Sequence, residues 1–77
     1  MDPMVGKLGT VHLSIEAGGL GEVVLTVSGS TQTYVATSSA DIARGDNILV
    51  TGKTDDGSLI VDKWYPPPNA PAPQQNH

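Results

Sequence analysis

The feature that most constrains the fold of this chain is an alternation of period two over residues 22–28. Val23, Leu25 and Val27 occupy every second position. Val24 is the only apolar residue between them. A period of two places alternate side chains on opposite faces of a β-strand, whereas a helix requires a period near 3.6. The segment is therefore predicted to be a strand with one buried face.

Four other segments also have strand character. Along the first of them, Val11, Leu13 and Ile15 alternate with polar residues and define the face that we expect to be buried. Another is rich in threonine, which favours a strand over a helix. The four segments are residues 5–17, 32–38, 48–50 and 59–61. With residues 22–28 they predict a small all-β domain of five strands.

Turn sequences separate these segments. Residues 17–21 and 28–31 are rich in glycine and serine, and the Asp56-Gly57 step favours a hairpin. Between the third and fourth strands, residues 38–41 offer N-cap side chains and Gly45 offers a C-terminal glycine, so a short helical turn is predicted there. Five short strands must cover their edges or curl shut. Periodicity alone fits a sandwich-like sheet or an SH3-like barrel as well.

Composition narrows the classes of function. Eight acidic and four basic residues give a net charge of −4, which repels the phosphate backbone of nucleic acids. The chain has no cysteine, so disulfides and thiolate metal sites are excluded. The Asp55-Asp56-Gly57 turn lacks the further oxygen donors of a calcium loop. We expect no metal, no cofactor and no small-molecule substrate.

The composition also predicts the domain boundaries. Residues 1–4 are expected to be disordered or derived from an expression vector, ahead of a domain cut from a longer protein. Residues 5–65 are expected to form the folded domain. Residues 66–77 contain several prolines and no aliphatic side chain larger than alanine, which predicts an extended or disordered tail.

Several glycine- and valine-rich pieces resemble, in order and spacing, the C-terminal domain of NfeD-type membrane proteins. They are Val5-Gly6-Lys7-Leu8-Gly9-Thr10-Val11, Gly18-Gly19-Leu20-Gly21-Glu22-Val23, Ile42-Ala43-Arg44-Gly45-Asp46-Asn47-Ile48-Leu49-Val50 and Gly57-Ser58-Leu59-Ile60-Val61. The resemblance covers residues 5–63 and implies a five-stranded OB-like β-barrel. It also implies upstream transmembrane segments, and a partner of the SPFH (flotillin- or stomatin-like) scaffold class. The domain itself would be a soluble, cytoplasmic, non-enzymatic interaction module.

Two other functions are alternatives to an interaction module. An OB-like barrel that binds single-stranded nucleic acid needs aromatic platforms beside basic side chains. Here the aromatic residues are Tyr34, Trp64 and Tyr65, and the four cations are scattered. A hydrolase centred on His12 needs partners around the histidine, and no Gly-x-Ser-x-Gly sequence is present. The nucleic-acid-binding module is the alternative, and no catalytic residue is predicted.

The candidate site is therefore the outside of the sheet. If Val23 and Leu25 face inward, alternation turns Val24 outward, and the same parity applies to Leu49 on the fourth strand. The last strand is expected to place Ile60 and Trp64 together on one face. These residues, Val24, Leu49, Ile60 and Trp64, are the predicted partner-binding residues. The alternatives are ordinary isolated surface hydrophobics, and a Trp64 that closes the barrel end or leads a proline-rich ligand.

Overall fold

The computed structural model of this chain describes residues 4–65. The predictions made for residues 1–3 and 66–77 lie outside the described residues. Five strands form the domain: β1 (Leu8–Leu13), β2 (Leu20–Val27), β3 (Ser30–Thr37), β4 (Asn47–Lys53) and β5 (Leu59–Lys63). The predicted all-β class and its five strands are confirmed.

The strands close into a barrel in the order β1-β2-β3-β5-β4, and β4 returns to β1. Every neighbouring pair is antiparallel except β3 and β5, which run parallel. That parallel contact is short, since it consists of Ala36 opposite Leu59 and Thr37 opposite Ile60. Closure gives every strand two neighbours, which removes most of the unpaired backbone groups of an open sheet.

The inward side chains of all five strands, together with the loop residues Ile15 and Ile42, fill the barrel with aliphatic groups. The buried residues are Val11, Ile15, Val23, Leu25, Ala36, Ile42, Ile48, Val50, Leu59 and Val61. Alternation correctly assigned the inward positions of β2 and β4. Aliphatic burial of this kind is the main stabilising term of a domain that has no disulfide.

The helical turn predicted between the third and fourth strands is wrong. Ile42 instead pairs with Ile15 as an isolated antiparallel bridge, in which each amide donates to the other carbonyl at 2.8–2.9 Å. The side chains that were predicted to cap a helix still accept backbone hydrogen bonds, although residues 38–45 form no helix. Ser38 Oγ accepts a bond from the Ala40 amide, and Asp41 Oδ1 accepts one from the Ala17 amide. Pairing across the barrel therefore replaces local helical bonds in this segment.

The predicted inward position of Leu13 is also wrong, because β1 is irregular. The register of β1 against β2 shifts between Val11 and Leu13. A β-bulge of this kind places an extra residue in one strand and changes which face the next side chain occupies. Leu13 is consequently 51% exposed, while Ile15, beyond the strand end, returns to the core.

Candidate interaction surface

Four adjoining strands carry apolar side chains on the outside of the barrel. We call Leu8, Val24, Leu49 and Trp64 the outer apolar surface; the first three lie on β1, β2 and β4, and Trp64 directly follows β5. Leu8 is exposed and the other three are half-buried. Since the inward residues Val23, Leu25, Ile48 and Val50 are their chain neighbours, the period of two explains why Val24 and Leu49 point outward.

The pairing register makes these residues direct or diagonal neighbours. Leu8 lies directly opposite Leu49. Val24 lies opposite Thr10, two residues along β1 from Leu8, so Leu8 and Val24 are diagonal neighbours. Directly opposed side chains in a sheet are about 5 Å apart at Cβ and diagonal ones about 7–8 Å apart, within reach of leucine and tryptophan.

Trp64 joins the surface through backbone pairing that extends β5. Its amide donates to the Asn47 carbonyl at 2.9 Å, which places Trp64 diagonal to Leu49. Next to it, Lys63 Nζ lies 3.3 Å from Asp46 Oδ2 and 5.3 Å from the centre of the Tyr65 ring. The hydrogen bond and charge of Asp46 raise the pKa of Lys63. One border of the outer apolar surface therefore carries an ion pair.

Ile60 lies on β5, on the other side of Asp62 from Trp64. It is on the same face of β5 as Trp64, but four residues away, which is about 13 Å along a strand. Its neighbours are Gly52 on β4 and Thr37 on β3, and Leu20 lies beyond Thr37. Asp62 lies opposite Leu49, so Ile60 and Trp64, each two residues from Asp62, are both diagonal neighbours of Leu49. The structure therefore brings Val24, Leu49 and Trp64 to one area, with Ile60 on the side of Leu49 that faces away from Trp64.

An open depression of about 410 Å³ lies near Ile60, between Leu20, Thr37 and the turn that joins β4 to β5. Within that turn, the Thr54 hydroxyl donates to Asp56, and the Ser58 amide donates to Asp56 Oδ1 at 3.3 Å. These two hydrogen bonds lower the pKa of Asp56. Residues 4–65 bring no three metal-binding side chains close together. The Asp56 carboxylate therefore stabilises the turn through hydrogen bonds.

His12 occupies an exposed position on β1, beside the bulge. Within residues 4–65 its side chain takes part in no hydrogen bond or ion pair. A catalytic histidine is oriented by a hydrogen-bonded partner. This placement is that of a surface residue.

Sequence reasoning missed several apolar residues on the outside. Leu8 is 48% exposed and is central to the outer apolar surface. Alternation predicts this position, because a residue three positions from the buried Val11 lies on the opposite face of the strand. Leu13, Leu20 and Val35 are also exposed. No pattern in the sequence marks the bulge that turns Leu13 outward, and Val35 lies in a segment with no clear alternation.

Comparisons with known proteins give a consistent result. The model of the family described as the NfeD C-terminal domain matches residues 8–62. Among solved structures, the solution structure of the soluble domain of the NfeD protein YuaF from Bacillus subtilis is similar, with a TM-score of 0.67 and 33% sequence identity. The match covers 79% of this chain and 74% of that chain. No curated protein matches significantly. In the described part of the chain, no helix has the length and apolarity to cross a membrane.

Proposed function

This chain belongs to the NfeD C-terminal domain family, and we propose that it is a non-catalytic protein–protein interaction domain of a membrane-anchored protein. The observation that carries the proposal is the outer apolar surface. Leu8, Val24, Leu49 and Trp64 form a connected apolar area on the outside of a barrel whose core is already filled. A group of outward-facing apolar side chains of this kind, one exposed and three half-buried, supports a binding site for another protein.

The partner we propose is an SPFH scaffold protein of the flotillin or stomatin class, met on the cytoplasmic side of the membrane. Family membership supports the membrane context. The strand order β1-β2-β3-β5-β4 with parallel β3 and β5 supports an OB-like interpretation of the barrel. In this proposal Trp64 is the main anchor, since tryptophan is enriched among the few residues that carry most of the binding energy of an interface. Leu49 packs beside it.

The test measures the binding of the 77-residue chain to a purified SPFH protein of the same organism, reconstituted in lipid vesicles. Leu49→Asp puts a carboxylate into the contact, where it loses water without gaining a partner. Trp64→Ala removes the largest side chain of the surface. Each change is expected to weaken binding by about tenfold or more.

The matched control is Val35→Asp. Val35 is 46% exposed on the outside of β3, away from Leu49, so the same apolar-to-carboxylate change there should leave binding unaltered. Circular dichroism of all three variants checks that they fold. Wild-type affinity in both Leu49→Asp and Trp64→Ala, or a loss confined to Val35→Asp, would contradict the proposed surface.

A further inference from the structure

Within residues 4–65, one edge of β3 is largely unpaired although the barrel is closed. Toward β2, β3 is paired along its whole length, Ser30–Thr37. Toward β5 it is paired only at Ala36 and Thr37. Residues 30–33 are exposed. We call residues 30–34, on the side that faces away from β2, the free edge of β3.

The hairpin turn identifies which backbone groups point to the free edge. Ser28 and Gly29 have positive φ angles of 53° and 80° and form a two-residue loop. The residues that flank such a loop, Val27 and Ser30, exchange backbone hydrogen bonds. Because the direction alternates along a strand, Thr31 and Thr33 point their amides and carbonyls to the free edge. Within residues 4–65 these groups have no hydrogen-bond partner on that side.

This edge lacks the features that protect strand edges from pairing. Proteins use lysine, proline or a bulge for this purpose. Residues 30–34 contain no lysine and no proline, and the register between β2 and β3 is continuous. Its threonine content favours extended pairing.

The free edge of β3 also carries no charged side chain, although the protein is acidic. No charged residue and no histidine lies between Glu22 and Asp41, although the chain as a whole carries a net charge of −4. Two copies of the chain repel each other through their acidic residues elsewhere, and they meet least repulsion where the β2–β3 hairpins face each other. The free edge of β3 is therefore better suited to pairing with a second copy of itself than to pairing with a charged segment.

We propose that the free edge of β3 pairs with the free edge of a second copy of this chain, antiparallel and about a two-fold axis. Thr31 then lies opposite Thr33 of the partner subunit, and Thr33 opposite the partner's Thr31. Four backbone hydrogen bonds form, which satisfy all the unpaired groups of both threonines, and opposed threonines pair favourably. The register leaves Ala36 and Thr37 to β5.

The dimer has a consequence for the outer apolar surface. Antiparallel pairing keeps opposed side chains on the same face of the sheet. Thr33 is the cross-strand neighbour of Val24. The two outer apolar surfaces therefore lie on the same side of one sheet that runs through both copies.

Sedimentation equilibrium of the full 77-residue chain, from about 10 µM to about 1 mM, tests the proposal. We expect a monomer–dimer equilibrium, with the amides of Thr31 and Thr33 protected from hydrogen exchange only at high concentration. Thr33→Pro removes the amide that points to the free edge and none that points to β2. It is expected to raise the dimer dissociation constant about tenfold or more.

Thr33→Lys is a second variant, which keeps the backbone donors and adds a like charge to each copy, so it stays informative if the proline variant fails to fold. The matched control is Thr26→Lys, the same change on β2 opposite Thr31, on the same face but away from the free edge. It should dimerise as the wild type does. A chain that is monomeric at about 1 mM, or a dimer indifferent to both Thr33 variants, overturns the proposal. Equal loss in Thr26→Lys also overturns it.

Discussion

Two hairpins of the barrel, β2–β3 and β4–β5, differ in the regularity of their pairing and in their charge. The β2–β3 hairpin is regular, with a continuous register and a two-residue turn at Ser28 and Gly29. The β4–β5 hairpin has a register shift between Val50 and Gly52. Its charged residues are Lys53, Asp55, Asp56, Asp62 and Lys63.

The difference shows where each hairpin obtains its hydrogen bonds. In the turn of β4–β5, side chains bond to the backbone: Thr54 Oγ accepts from the Ser58 amide at 3.0 Å, and Asp56 accepts from the same amide. The turn of β2–β3 has no such side-chain bond within residues 4–65, and Thr31 and Thr33 keep unpaired backbone groups. A regular, neutral hairpin stays available for pairing, whereas the irregular hairpin is satisfied within the molecule.

The prediction with the largest expected effect tests whether the stability of the β2–β3 hairpin depends on packing in the barrel core. Leu25 on β2 is 1% exposed. Leu25→Ala removes its packing and leaves a cavity, so the free energy of unfolding should fall by about 3 kcal/mol. Urea titration measures it, with Thr26→Ala on the outer face as the control and an expected change below about 0.5 kcal/mol. A loss below about 1 kcal/mol for Leu25→Ala would mean that the hairpin is held by its backbone pairing alone.

The prediction with the next largest effect compares the turn of the β2–β3 hairpin with that of the β4–β5 hairpin. Gly29 has φ +80° and Gly57 has φ +97°, and a Cβ atom at either position would meet no atom within 4 Å. The cost of alanine is therefore conformational only, about 1–2 kcal/mol of unfolding free energy at each position. We expect the larger loss for Gly57→Ala, because its φ lies farther from the left-handed region near +57°. Thermal unfolding of both variants measures the difference, and a larger loss for Gly29→Ala would contradict it.

The smallest effect is a pH dependence confined to the β4–β5 turn. The pKa of Asp56 is lowered from 3.8 by hydrogen bonds from Thr54 and Ser58. A carboxyl with a depressed folded pKa stabilises the fold above its unfolded pKa, and this stabilisation is lost as the pH falls through the folded value. Asp56→Asn should be less stable than the wild type near neutral pH.

Urea titrations of both proteins across the acid range test this dependence. The gap between them should narrow once the pH drops below about 4. A gap that does not change with pH would show that Thr54 and Ser58 do not favour the ionised carboxylate. The β2–β3 turn contains no carboxylate and should show no such local effect.

Much of the fold follows from local pattern, because alternation reports which face of a strand is buried. It assigned Val23 and Leu25 to the core and Val24 and Leu49 to the outside correctly. It failed for the segment after β3, where Ser38 and Asp41 carry helix-capping chemistry. Ile42 pairs there with Ile15, and a contact between residues so far apart in sequence has no local signal.

The site was less predictable than the fold. Alternation along the strands alone placed Val24 and Leu49 on the outer face. The same reasoning would have placed Leu8 there. The link between these residues depends on which strands adjoin: β1 lies between β2 and β4 only because the barrel closes. The bulge after Val11 and the short contact of β3 with β5 arise from closure as well, so neither the exposed Leu13 nor the free edge of β3 could be predicted.

The contact between β3 and β5 also affects how the barrel is made during synthesis. β2 can pair with β1, β3 with β2, and β4 with β1 in the order in which they leave the ribosome. β5 comes last and fills the gap between β4 and β3. A nascent chain therefore carries an open sheet until residues 59–63 emerge. A chain truncated before Leu59 cannot complete the barrel and leaves β3 and β4 without their common neighbour.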